Sequence, residues 1–182
     1  MDRTRLERRV HAAVNETRER HGRRGVAYDP DLRPVARYHS RRMVAKGELF
    51  HEAPDGEDLS ERLDMFDYDL IAKGTGQRFC HDCSSDLRRF AAPAYCPACG
   101  TATLDSTLES TRAGENLAVK RYVPRPVGTD EETAATAVVD GWLESPGHRD
   151  NLLEPSFERE AIGVVVTDER QRVCVYVTQV LS

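Results

Sequence analysis

Two close cysteine pairs constrain this chain more than any other feature. They are Cys80-His-Asp-Cys83 and, a short loop later, Cys96-Pro-Ala-Cys99, followed directly by Gly100. Each is a C-x₂-C knuckle, and two knuckles about a dozen residues apart match the spacing that wraps one tetrahedral Zn²⁺ in four thiolates. Gly100 suits a knuckle, whose turn often requires a residue at positive φ. Two redox C-x-x-C motifs or two disulfides are the competing readings. A Cys₄ shell has no open position for chemistry, so a zinc here is structural. It holds a segment together without saying what the protein does.

The chain has 182 residues, 39% of them hydrophobic and 31% charged, enough for one real core with a well-solvated surface. The formal net charge of −5 argues against a general polyanion binder. Arg78, Arg88 and Arg89 lie near the cysteines but face Asp82 and Asp86 in sequence, which makes a thin basic patch. Nucleic acid is therefore not the expected partner. The arginine-rich start (Arg3, Arg5, Arg8, Arg9) leads into no apolar run of signal-peptide type, and no stretch is long enough to cross a membrane. From these observations the expected location is cytoplasmic, where thiols stay reduced. Cys174, alternating with valines, is a buried small hydrophobe in this reading.

Hydrophobic periodicity predicts a helix from Thr4 to His21, with Leu6, Val10, Ala13 and Val14 on one side and Gly22 as the stop. A second begins near Asp31, tolerates Pro34 in its first turn and ends at Gly47; a short third spans Leu59 to Phe66. Lys73 to Gly76 reads as a linker into a segment, Arg78 to Leu104, that holds both knuckles and looks inserted. Beyond it come a strand from Asn116 to Tyr122 and a helix opened by a Thr129/Glu132 capping box. Pro146-Gly147 ends that helix, and Ile162–Thr167 with Val173–Val180 form a hairpin. Helices early and antiparallel strands late point to an α+β fold.

Three separated stretches then fall in order. The first is Val10-His-Ala-Ala-Val-Asn15-Glu-Thr-Arg18 with the helix ending at Met43 and then Phe50-His51. The second is Gly114-Glu115-Asn116. The third is Gly141-Trp142-Leu-Glu-Ser145-Pro-Gly147-His148-Arg149-Asp-Asn151, with a closing strand Val175 to Gln179. Together they resemble the CAP superfamily, the domain shared by cysteine-rich secretory proteins, antigen 5 and pathogenesis-related proteins, and within it the prokaryotic branch. The resemblance covers nearly all of the chain except Glu52 to about Arg112. It implies an α-β-α sandwich over residues 1–182, interrupted by a zinc-ribbon-like insertion at 78–104. It further implies a surface cleft holding two histidines, His51 and His148, and an acid, Glu115. The second acid of the family pattern falls nearest Ser145, so Glu144, one residue earlier, is the candidate for that role.

Two imidazoles and a carboxylate in one cleft can bind a second divalent metal with open positions, and such a site suits metal-assisted hydrolysis. Without metal, a carboxylate can orient a histidine as general base. Neither chemistry has a nucleophile supplied by motif; Ser145 near His148 reads more simply as a helix end and turn. The competing class is a non-catalytic module capturing a small-molecule, lipid or peptide ligand in the cleft, or a protein partner through the zinc insertion. That insertion interrupts the chain between two expected cleft residues, which makes it a candidate lid or docking knob. His11, His21 and His39 are read as ordinary hydrogen-bonded histidines, Asn116 as a structural amide tying the strand to a loop, and Trp142 as core.

Overall fold

A computed structural model describes residues 1–68, 70, 98, 113–122, 130–169 and 172–182, together with the backbone of two short strands at 76–80 and 107–111. The chain divides into two compact units, one formed by Met1–Tyr68 with Ala113–Ser182, the other by Asp69–Arg112.

The larger unit opens with α1 (Arg3–Arg20), capped by the Asp2 carboxylate, which accepts from the Arg5 amide at 2.7 Å. Leu6, Val10 and Val14, four residues apart, form its buried stripe. After the two-residue strand β1 (Ala27–Tyr28) comes α2 (Arg33–Lys46), with Pro34 in its first turn. It ends where Gly47 takes φ 73°, a left-handed conformation that glycine adopts without Cβ strain. The short α3 (Leu59–Met65) is held by a capping box: Asp58 accepts from the Glu61 amide while Glu61 reaches back to the Asp58 amide.

In the smaller unit, β2 (Gly76–Cys80) pairs antiparallel with β3 (Thr107–Thr111), Gly76 facing Thr111 and Cys80 facing Thr107. Strand there was not foreseen at Gly76, which the sequence places in a linker. Cys83, Cys96, Cys99, His81 and the Cys80 side chain lie outside the described residues.

The larger unit resumes with β4 (Gly114–Tyr122), α4 (Glu131–Glu144), α5 (Pro146–Leu153), β5 (Arg159–Glu169) and β6 (Arg172–Leu181). Two local expectations need correction. The N-cap of α4 is Asp130, whose carboxylate accepts from the Thr133 amide at 2.7 Å, rather than Thr129, which lies outside the described residues. An ionised cap gains from the helix dipole as well as from the hydrogen bond, and so wins the position. Nor does Pro146 merely end α4. Ser145 is extended, and Pro146 begins α5, where a missing N–H costs nothing and φ is already helical.

The sheet order is β1-β5-β6-β4. The β5–β6 and β6–β4 pairs are antiparallel, whereas β1 runs parallel to β5, an edge pairing too short to leave a periodic signal. Side chains alternate between faces. One face packs Ala118, Ile162, Val164, Val175 and Val177 against α1, α4 and α5. The other packs Leu117, Cys174 and Tyr176 against Met43 of α2. The result is the expected α-β-α sandwich. Gly163 shows how close the second helix layer sits: a Cβ there would lie 2.2 Å from the Ala36 backbone. Trp142 is buried, donating its indole N–H to the Leu117 carbonyl at 2.9 Å. Cys174 is buried in β6, as read from its strand. Among the described residues no helix is long and apolar enough to cross a membrane.

Candidate functional site

The Gly114-Glu115-Asn116 triplet opens β4, and each residue has a separate physical task. A Cβ on Gly114 would come within 2.7 Å of the Phe157 ring, so only glycine lets the strand start there without displacing that side chain. Asn116 points to the α5 face, where its amide donates to the His148 carbonyl at 3.0 Å and to the Gln179 side chain at 2.8 Å. Asn151 completes the staple by donating to the Glu115 carbonyl at 3.1 Å and to the Asn116 side chain at 3.2 Å. These amides fix α5, and with it His148, on the strand that carries Glu115. Asn116 is structural as expected, though it binds a helix rather than a loop.

Glu115 faces the opposite side, toward α2 and α3. One carboxylate oxygen receives the His51 Nδ1 at 3.0 Å, and the other receives the Arg62 Nη2 at 2.7 Å. The Glu115 side chain is 4% exposed and that of His51 is 57% exposed, so the pair runs from the interior to the surface. Because a carboxylate only accepts, the neutral His51 ring carries its proton on Nδ1 and keeps the Nε2 lone pair available. The His51 and His148 rings lie side by side, centroids 6.0 Å apart and tilted by 46°. Burial, and secondarily the neighbouring His51, push the His148 pKa below the ordinary imidazole value, so this ring is neutral at physiological pH.

His51, Glu115 and His148 thus come together, lining a cleft of about 580 Å³ with Ser145, Gly147 and Asn151. Asp58, Leu59 and Ser60, where α3 begins, line the same cleft. Ser145 lines it and Glu144 does not: the latter is exposed in the last turn of α4.

Two participants escaped the sequence reading. Arg62 is fully buried and binds both the Glu115 carboxylate and, at 3.2 Å, the His51 carbonyl. Nothing in an isolated arginine of a short helix announces this; the only signal is its i+3 and i+4 spacing from the cleft-lining Leu59 and Asp58. His39 is hydrogen-bonded, as expected, but at the site: its Nε2 donates to the Phe50 carbonyl at 2.7 Å and stands 3.8 Å from Glu115. Burial holds the His39 pKa down. The ion pairs continue outward, Arg62 to Glu57 and Glu57 to Arg42, with Arg42 forked onto Asp55.

For a metal, the donor set is two imidazoles backed by a carboxylate that already serves Arg62. No group of three or more His, Cys, Asp or Glu side chains among the described residues is arranged to hold an ion. Two imidazoles on one ion, bound at ~2.1 Å with a tetrahedral angle, have ring centres roughly 5 Å apart. The observed centroid separation of 6.0 Å is wider than this, so the two rings would have to close in to share an ion. Were an ion held by the two imidazoles, Glu115, bonded to His51 Nδ1 and to Arg62, would stand behind His51 rather than serve as a ligand.

Comparison with known proteins places this geometry in context. The chain matches solved structures over nearly its whole length. An extracellular protein containing an SCP domain from Bacillus anthracis is 22% identical, with a TM-score of 0.59 and 98% of this chain covered. An outer surface protein from Borrelia burgdorferi is 14% identical, with a TM-score of 0.60, covering 100% of this chain and 96% of its own. A cysteine-rich secretory protein from Staphylococcus aureus is 15% identical, with a TM-score of 0.53 and 99% of this chain covered. At these identities the likeness is one of fold. The chain spans only 40% and 38% of the Bacillus and Staphylococcus chains. The cytoplasmic location expected from the sequence gains no support from such neighbours. No curated protein matches in sequence. The model of the cysteine-rich secretory protein family, CAP, matches residues 11–181, and with its fold and cleft the chain belongs to that family.

Proposed function

We propose that the cleft binds a divalent transition metal through His51 and His148, and that the metal in turn captures a small polar or peptide ligand. The observation that carries this reading is the pair of adjacent imidazoles, one neutral through burial and the other aimed by Glu115. Imidazole pairs suit zinc, nickel and copper rather than magnesium or calcium. The buried Glu115 carboxylate accepts from His51 Nδ1 without leaving its arginine partner. A divalent ion held here supplies Lewis acidity and lowers the pKa of bound water, the basis for a hydrolytic version of the function. The chain's own contribution is to present two imidazoles side by side, His148 from the first turn of α5 and His51 backed by Glu115 of strand β4.

Calorimetric titration of Ni²⁺ into the full chain tests the reading. One equivalent should bind in excess of what the His51→Ala/His148→Ala double variant binds. Equal uptake by both proteins contradicts it.

A structural zinc on Cys80, Cys83, Cys96 and Cys99 belongs to the same proposal, on the strength of their spacing alone. Its removal by Cys80→Ser with Cys96→Ser should cost one zinc per chain and leave the nickel uptake of the cleft intact.

A further inference from the structure

We infer that Arg62 is a positioning residue for His51, setting which imidazole nitrogen faces the cleft. This inference rests on the reading of His51 as a cleft ligand, but its test does not require metal.

Arg62 holds His51 at two points. Its Nη2 fixes the Glu115 oxygen opposite the one that takes the His51 Nδ1, and its Nη1 donates to the His51 carbonyl at 3.2 Å. A guanidinium is planar and forked, so these two bonds tie the Glu115 carboxylate and the His51 backbone into one rigid unit. The preceding peptide is gripped from the other side, where the His39 Nε2 donates to the Phe50 carbonyl. His51 therefore has little freedom in either backbone or side chain, although more than half of its side chain is exposed.

Charge reinforces the geometry. Asp55, Arg42, Glu57, Arg62 and Glu115 alternate in sign along a chain of ion pairs that begins at the surface and ends at the imidazole. With Arg62 on one oxygen, the Glu115 carboxylate meets the His51 ring as an acceptor through the other, and an acceptor at Nδ1 places the proton on that nitrogen. Nε2 is then the bare, metal-competent atom. Arg62 itself is placed by α3, whose capping box fixes the helix that carries it. Asp58, Leu59 and Ser60 of the same element line the cleft, so ligand contact there bears directly on the helix that orients His51.

The test is long-range ¹H–¹⁵N correlation of the histidine rings in the full chain, without added metal and at a pH well above the imidazole range. In the parent protein His51 should show the Nδ1–H tautomer; an Nε2–H ring there overturns the inference before any variant is made. In Arg62→Met the signal should move toward the Nε2–H form that free histidine prefers. Arg62→Lys, which keeps the charge but loses the fork, should fall between. Ni²⁺ affinity measured on the same proteins should drop about 10–100-fold in Arg62→Met, the usual range for loss of an outer partner of a metal-bound histidine. Variants that fold and keep the parent tautomer refute the role of Arg62. A parent protein that shows the expected tautomer but binds no Ni²⁺ refutes the proposed function and leaves this inference standing.

Discussion

Two buried glutamates sit one register step apart on the sheet, and the contrast between them separates a site from a brace. Glu115 of β4 is level with Val180 of β6, while Glu160 of β5 is level with the next residue, Leu181, so the two carboxylates point to opposite faces. Each accepts from a histidine Nδ1: Glu115 from His51 at 3.0 Å, Glu160 from His11 at 2.6 Å. The second ring nitrogen decides the outcome. In His11 the Nε2 meets the Asn15 amide at 3.4 Å, and the other Glu160 oxygen takes the Gln179 amide, which continues to Asn116 and the His148 carbonyl. That network closes on itself and clamps α1 and α5 to the sheet. His51, by contrast, lines a cleft beside a second imidazole. The same carboxylate–imidazole unit is closed into a structural network at His11 and opens onto a cleft at His51.

The comparison predicts unequal costs. Glu115→Leu removes the nearest carboxylate from a fully buried guanidinium, leaving it Glu57 at 3.9 Å and the His51 carbonyl. Losing one partner of a buried ion pair costs about 3–5 kcal/mol; urea melts should show it as a large drop in midpoint at constant slope. Glu160→Leu leaves only the Gln179 amide and a partly exposed His11 without partners, so the same melts should register about 1–3 kcal/mol. Equal losses would mean that Arg62 is not sustained by Glu115 as described.

Acid sharpens the contrast further. Burial lowers the pKa of both His39 and His148, so the unfolded chain takes up their protons first. Stability should therefore be full above the unfolded imidazole value of about 6.5 and fall as pH drops below it. His148→Gln should flatten part of that slope in pH-dependent thermal melts. The smallest effect is expected at His11: His11→Gln can still donate to Glu160 and should leave Ni²⁺ uptake by the cleft unchanged, whereas His51→Gln should abolish it.

Much of this was legible in the sequence, and the gaps have physical reasons. Four-residue spacing in α1, a glycine stop at α2 and β-branched runs in β5 and β6 are local signals, and the elements formed close to where those signals lie. His51, Glu115 and His148 were reached through the family resemblance, carried by Phe50-His51, Gly-Glu-Asn and Ser-Pro-Gly-His-Arg, and the constraints at Gly114 and Asn116 show why the second of these motifs needs its residue types. Arg62 and His39 were invisible in their roles, since each acts through a partner distant in sequence: Arg62 and Glu115 are 53 residues apart. The start of α5 was misread because Pro146 signals a helix end and a helix beginning equally well. Strand β1 was missed because two residues carry no periodicity.

The most direct measurement is anomalous diffraction from crystals of the full chain grown with Ni²⁺. The account predicts a peak bonded to one nitrogen each of His51 and His148 at ~2.1 Å, with Glu115 still joined to His51 Nδ1 and to Arg62. A peak on the Glu115 carboxylate with Arg62 displaced, or no peak between the two imidazoles, contradicts it.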